Sequence, residues 1–228
     1  MLQLAPFEPI DYLVIGHLTI DQTPAGPSLG GTAAYSALTA RALGLRVGVL
    51  TAWSGEIPLD ALGNIPVLAA ETEKATRFEN RYSSEGRTQH IRQVATKIDF
   101  GLVPEPWRNT KIIHLGPVAQ EMQSVLPAEF RPTLLGLTPQ GWMRSWDQDG
   151  LIHPCAWPSA AQAMPAAGAI VFSVDDVAHD EEQIEWLAHQ GRLVVVTEGA
   201  AGCRLFWNGD SRRFRAPLVD EVDATGAG

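Results

Sequence analysis

Two stretches of the 228-residue chain combine small residues with carboxylate or hydroxyl groups in patterns that can do chemistry. In the last seven residues, Asp223 and Thr225 precede Gly226-Ala227-Gly228. Two glycines separated by one small residue let backbone N–H groups turn towards one point with no Cβ in the way, which is how a chain cradles an anion. A helix continuing from there would add its unpaired N–H groups and its dipole. Near the N-terminus, Asp21 precedes a Gly30-Gly31 pair that opens a long alanine-rich segment. A carboxylate accepts hydrogen bonds from two neighbouring hydroxyls, and glycines let backbone N–H groups approach a ring closely. Taken alone, each stretch also fits a turn without a ligand. Asp175 and Asp176, in Ser173-Val-Asp-Asp, offer the hard oxygens that magnesium takes, and they equally suit the acidic start of a helix near Asp180. Glu185 and His189 stand four apart with no third ligand, as on a solvated helix face.

The elements that position these groups follow from periodicity and breakers. Tyr12–Gly16 is a short apolar strand, and Pro24, Gly26 and Pro27 forbid a helix after it. From Thr32 an N-cap, a stripe of Ala34, Leu38 and Ala42, and a stop at Gly44 mark a helix, followed at once by a strand over residues 46–51. Strand, helix, strand implies a parallel sheet with right-handed crossovers. Residues 65–70, 111–116, 133–138, 169–173 and 193–197 are further short apolar runs. Ligands of open α/β sheets gather at the C-terminal ends of such strands. His114, inside one run, reads as a core imidazole. Residues 76–82 and 88–94 alternate polar and apolar around Ser83–Gly86, a hairpin with one wet face, either an edge or a lid. Residues 180–190 read as an acidic-first helix. The stretch between Pro154 and Pro165 reads as a short helix between loops, and residues 203–217 as a hairpin turning at Asn208-Gly209.

The order of strand, Gly turn, hairpin and Asp-x-Thr-Gly-Ala-Gly over residues 193–228 resembles the C-terminal signature of the ribokinase-like (PfkB) carbohydrate kinases. At the other end, Asp21 and Gly30-Gly31 match positions that hold sugar hydroxyls in that family. The resemblance implies an α/β fold, a three-layer αβα sandwich with a mostly parallel sheet and a small β lid at about 76–94, as one domain over 1–228. It implies ATP-dependent phosphorylation of a hydroxyl on a sugar, nucleoside or cyclitol, with Mg2+, and in some members a monovalent cation. Gly226, Ala227 and Gly228 would form the anion hole. Thr197, Gly199 and Gly202 match the strand-end turn near the nucleotide, Asp223 and Thr225 match cation-binding positions, and Asp176 matches the carboxylate that organises magnesium. Thr138–Trp142 with Arg144 resembles the loop that approaches the phosphates. Two departures stand out. Tyr35 occupies the place of a usual Asn in the first helix turn, so the bound polyol differs from ribose or fructose. The sequence also ends before the family's catalytic Asp, so the expectation is a C-terminally incomplete domain with almost no turnover, or a kinase-derived protein that binds a polyol without phosphorylating it. A homodimer through the lid is a further expectation from the family.

The bulk properties agree with a small-molecule enzyme. A formal charge of −9 and a pI near 5.1 disfavour nucleic acid and anionic membranes, and Arg212, Arg213 and Arg215 read as one solvated strand face. Two cysteines, Cys155 and Cys203, form no disulfide framework or metal spacing, which makes a reducing cytoplasm the expected compartment. Neither a signal-peptide pattern nor an apolar run of membrane length is present in the sequence. A dinucleotide-binding dehydrogenase is disfavoured because no Gly-x-Gly-x-x-Gly follows the first strand.

Overall fold

A computed structural model of the chain describes residues 7–23, 26–83 and 86–219. The first strand, β1 (Tyr12–Ile15), leads through residues 16–18 into a hairpin of β2 (Thr19–Thr23) and β3 (Gly26–Gly30). Helix α1 (Thr32–Ala42) and strand β4 (Val47–Ala52) follow. The expected unit of strand, helix and strand is present, with β1 and β4 parallel. Two details differ. The N-cap is Gly31 rather than Thr32, which is the first helical residue and makes no cap. The buried face of α1 is Ala33, Ala34, Ala37 and Ala40, and Ala42 is exposed. Four alanines let the helix lie close on Val14, Val47 and Val49, a contact that larger side chains would hold off.

The chain continues through β5 (Val67–Ala70) to the predicted hairpin, β6 (Thr76–Ser83) and β7 (Gly86–Gln93). The hairpin stands off the main sheet, as the alternation predicts. It is not alone there: β2 pairs parallel with β6, giving a four-stranded sheet in the order β3-β2-β6-β7. The proline-rich segment therefore supplies lid strands, a pairing between residues far apart in sequence that local pattern does not reveal. One lid face is wet, with Glu79 paired to Arg81 and Arg92 at 2.7 Å each.

A short helix, α2 (Glu105–Arg108), precedes β8 (Ile112–Leu115) and β9 (Leu134–Leu137). Next come a 3-10 turn over Pro139–Met143 and the small hairpin β10 (Arg144–Trp146) and β11 (Ile152–Pro154). The C-terminal part runs α3 (Ala160–Ala163), β12 (Ala169–Ser173), α4 (Glu181–Gln190), β13 (Leu193–Thr197), β14 (Cys203–Trp207) and β15 (Asp210–Phe214). The main sheet has nine strands in the order β15-β14-β13-β12-β9-β8-β1-β4-β5, parallel except for β14 and β15. The sheet and its flanking helices match the expected α/β class.

Alternation along the strands sends Leu13, Ile15, Ile113, Leu115, Ile170, Phe172, Val194 and Val196 into one core, which takes in Trp107, Ala160, Met164, Ile184 and Leu187 from α2 to α4. The opposite face is covered by α1 over β1 and β4. Further along that face Val171, Val195 and Leu205 are half-buried, and Trp207 and Phe214 are about half exposed. Arg212 and Arg213 are exposed on β15, as a solvated strand requires, and both cysteines are free. Among the described residues no helix is long and apolar enough to cross a membrane.

His114 is the core imidazole that its setting suggests. It lies between the Tyr12 hydroxyl at 2.6 Å and Thr138 Oγ1 at 3.0 Å. Burial lowers its pKa from 6.5 to about 4. Between those values the unfolded chain takes up a proton that the folded chain refuses, so stability falls as pH drops through this window, by up to about 3 kcal/mol. Denaturant titrations from pH 7 to 4 are expected to show this loss, and His114→Gln is expected to flatten the profile.

Candidate functional site

Strand order in the main sheet reverses between β1 and β8, because the chain moves outward from β1 through β4 and β5 and then crosses back to β8. A crevice opens outside the C-terminal ends of the strands at such a switch point. Here the two loops that flank it touch. A Cβ on Gly16 would overlap the carbonyl of Gly116, so both loops are glycine where their backbones meet. The carboxylate of Glu121, itself buried, accepts N–H bonds from His17 at 2.9 Å, Val118 at 3.0 Å and Ala119 at 2.7 Å. It thereby ties the loop after β1 to the loop after β8.

Asp21 rises from this point on β2. Its carboxyl is buried and accepts the Thr19 hydroxyl at 2.9 Å. The space around it exists because Gly30 has no side chain: a Cβ there would overlap the Asp21 carboxyl. Gly31 adopts φ +89, and its Cβ would lie 2.6 Å from the His17 carbonyl. Asp21 and Gly30, nine residues apart in sequence, are thus in contact beside the switch point, and α1 begins next to them. Tyr35 sits half-buried in the first turn of α1. The lid continues this surface. Register places Phe78 beside Asp21 on the same face, with Ile91 opposite Phe78 and Gln89 opposite Asn80. Gln89 Nε2 donates to Asn80 Oδ1 at 3.1 Å, and the Arg144 guanidinium lies 5.9 Å from the centroid of the Phe78 ring. Arg144, expected near phosphates, therefore meets the lid.

The other expected residues line strand ends further along the sheet. At the end of β12, Ser173 and Asp176 form a reciprocal capping box. Asp176 Oδ2 accepts the Ser173 N–H at 2.9 Å and Oδ1 accepts Gln140 Nε2 at 3.1 Å. Asp175 points out instead and pairs with His179 at 2.9 Å. At the end of β13, Thr197 leads into the turn of Gly199 (φ +57) and Gly202 (φ +103). Arg204 clamps this turn to α4, meeting Glu181 at 2.6 Å and lying 2.7 Å from Glu198 at an angle too bent for a hydrogen bond. Four strand spacings separate β13 from β1, or about 19 Å. The site is therefore long, with the Asp21 end and the Thr197 end far apart. Among the described residues no group of three or more His, Cys, Asp or Glu side chains is arranged to hold a metal. His189 Nδ1 bonds the Glu185 carbonyl at 2.6 Å, as a helix face does. Asp223, Thr225, Gly226, Ala227 and Gly228 lie outside the described residues.

Sequence reasoning missed His17, Thr76 and Glu121. His17 follows the first strand directly, and Thr76 opens the lid hairpin, which is the one signal either offered. Glu121 carries no signal in the sequence, and only the fold buries it.

No family model matches the chain. In sequence it is 27% identical over 248 aligned positions to the cytidine kinase of Thermococcus kodakarensis, taking in 96% of this chain and 84% of that protein. In structure it is similar to a pyrophosphate-dependent kinase of the ribokinase family, solved with a pyrophosphate analogue and myo-inositol (TM-score 0.74, 18% identity, 95% of this chain and 82% of that one). It is also similar to a double mutant of Vibrio cholerae fructokinase with fructose, ADP and a potassium ion (TM-score 0.66, 15% identity, 98% and 81%). The resemblance read from the sequence is borne out by these comparisons.

The glycine pair separates two effects. Gly31→Ala meets backbone and is expected to lower stability by about 1–3 kcal/mol, visible as a drop of several degrees in calorimetry. Gly30→Ala meets only the end of the Asp21 side chain. It is expected to shift the melting midpoint far less, and to weaken binding of a polyol ligand about tenfold or more in titration calorimetry.

Proposed function

We propose that this chain, a ribokinase-like carbohydrate kinase by resemblance, transfers a phosphoryl group from ATP to a hydroxyl of a small polyol, either a sugar, a nucleoside or a cyclitol. The observation that carries this reading is the buried Asp21 carboxylate seated against Gly30 at the switch point, on one face of the separate lid sheet. A carboxylate so placed is an acceptor for paired hydroxyls, and burial strengthens such bonds by excluding competing water. Tyr35, Gly31 and the lid face bearing Phe78, Asn80 and Gln89 would complete the acceptor pocket.

The donor end rests on the Thr197–Gly202 turn, with Thr225 and the anion hole of Gly226, Ala227 and Gly228 assigned from the sequence. In phosphoryl transfer the protein mainly positions the groups and offers donors to the developing charge. Magnesium keeps several waters and takes one or two carboxylates together with the phosphates, so it needs no dedicated protein cage. Asp176 fits that limited part: Ser173 and Gln140 hold its oxygens in place, and each oxygen keeps a further lone pair. The ion would supply charge neutralisation on the phosphates. A monovalent cation near Asp223 and Thr225 belongs to the same proposal.

The test is phosphate transfer over a panel of pentoses, hexoses, nucleosides and inositols, with ATP or pyrophosphate as donor, together with calorimetric binding of each acceptor. Magnesium-dependent turnover of one acceptor class is expected. Binding of a polyol without turnover would favour the non-catalytic binding protein, and no binding at all would end the acceptor assignment. With a responsive polyol in hand, Asp21→Ala is expected to weaken binding by at least about a hundredfold. Two charge-assisted hydrogen bonds are lost, each worth roughly 1.5–3 kcal/mol, while the melting midpoint changes little. Unchanged affinity with a midpoint several degrees lower would make Asp21 a structural residue of the lid.

A further inference from the structure

We propose that His17 is the joint that sets the lid on the main sheet, a positioning residue that acts through the lid on Asp21. The proposal rests on the reading of Asp21 as the acceptor carboxylate. His17 is completely buried at the C-terminal end of β1. Its Nε2 lies 2.8 Å from the carbonyl of Thr96 and its Nδ1 2.7 Å from Thr76 Oγ1. A carbonyl only accepts, so Nε2 carries a hydrogen, and Nδ1 shares its hydrogen bond with the Thr76 hydroxyl. Thr76 Oγ1 in turn accepts the Ala95 N–H at 2.9 Å.

These partners are the two roots of the lid hairpin. Thr76 is the first residue of β6, and residues 95 and 96 follow β7 closely. One ring thus grips the chain where it enters the hairpin and where it leaves. The backbone of the same residue is held on the main sheet. His17 N–H goes to Glu121 at 2.9 Å, and the next N–H, of Leu18, goes to Thr51 Oγ1 at 2.8 Å at the end of β4. The His17 carbonyl faces Gly31, where a Cβ would come within 2.6 Å. Four residues on, Asp21 sits on the strand that pairs with β6. The geometry thus links the angle of the lid, the seat of Gly31 and the position of Asp21 through one side chain. The ring nitrogens of His17 and the hydroxyl of Thr76 are all paired, so removing one partner leaves buried groups unmet and opens the lid at its base.

His17→Ala would empty a buried site and mix loss of the joint with loss of the fold. The test is therefore Thr76→Val, which keeps the shape and removes the hydroxyl, with Thr76→Ser as the rescue. In hydrogen exchange, amides of residues 77–81 and 88–93 are expected to exchange about tenfold faster in Thr76→Val, with those of β1, β8 and β12 unchanged. With a responsive polyol, the acceptor KM is expected to rise about tenfold while the donor KM stays within about twofold, and Thr76→Ser is expected to restore both readouts. Equal acceleration across the lid and the central strands would overturn the proposal, since that is ordinary loss of core stability. Lid exchange unchanged in Thr76→Val would overturn it as well, and so would a faster lid with an unchanged acceptor KM. If the parent protein turns over no acceptor, the proposed function fails, yet the exchange experiment still decides whether the joint holds the lid.

Discussion

The Glu121 carboxylate is the interaction on which the rest of this structure depends. Burying a charge is costly unless it is well bonded, and here three backbone N–H groups from two loops converge on it. Those loops leave the two strands that flank the reversal of strand order, so the carboxylate closes the sheet at the point where its topology would leave a gap. More bonds follow from the same segment. The Glu121 carbonyl accepts Ile98 N–H at 2.8 Å, on the way back from the lid. Gln120 and Pro117 exchange backbone bonds with Gly141 at 3.2 and 3.0 Å, beyond β9. The Gln120 side chain also donates to the Arg144 carbonyl. A loop without regular structure thus reaches the first strand, the lid and the turn over Pro139–Met143 through bonds that leave little freedom.

This arrangement explains why the proposed acceptor and donor ends have different physical characters. The acceptor end is built from contacts between a small sheet and a large one, and it is rigid only as far as its joints are satisfied. The donor end is built from turns at the ends of neighbouring parallel strands, where Gly199 and Gly202 take left-handed conformations and Arg204 pins the turn to α4. Gln140 lies between them, bonded to Asp176 from the turn that also contacts Pro117. A continuous set of bonded groups therefore runs from the lid root to the Asp176 carboxylate.

Much of this was legible in the sequence, and the reasons are local. Short apolar runs ended by glycine, proline or a polar residue make the parallel strands recognisable, Asp180 and the acids after it make α4 recognisable, and alternation around Ser83–Gly86 makes the hairpin recognisable. The glycine pair was informative because a missing Cβ is a local fact with a spatial consequence. The place of His114 inside an apolar run is that of a core imidazole, and the fold buries it there. The errors were also local ones. Thr32 has a capping side chain, but Gly31 already takes the cap position with a conformation only glycine adopts easily. Ala42 belongs to the alanine pattern, but the sheet lies on the other side of the helix.

What the sequence determined by itself is the strands of the main sheet with α1, α3 and α4, the parallel sheet with a separate hairpin, the pattern of Asp21 before Gly30-Gly31, and the kinase resemblance. What only the tertiary structure decided is which distant groups are buried together. β2 pairs with β6 across more than fifty residues, so the lid is a four-stranded sheet rather than a hairpin. His17 and Glu121 become structural centres because the fold removes them from water and brings backbone donors and acceptors to them. Side-chain type and spacing fix short-range geometry, whereas the worth of a polar group depends on the solvent it loses and the partners it gains. Both are properties of the assembled chain.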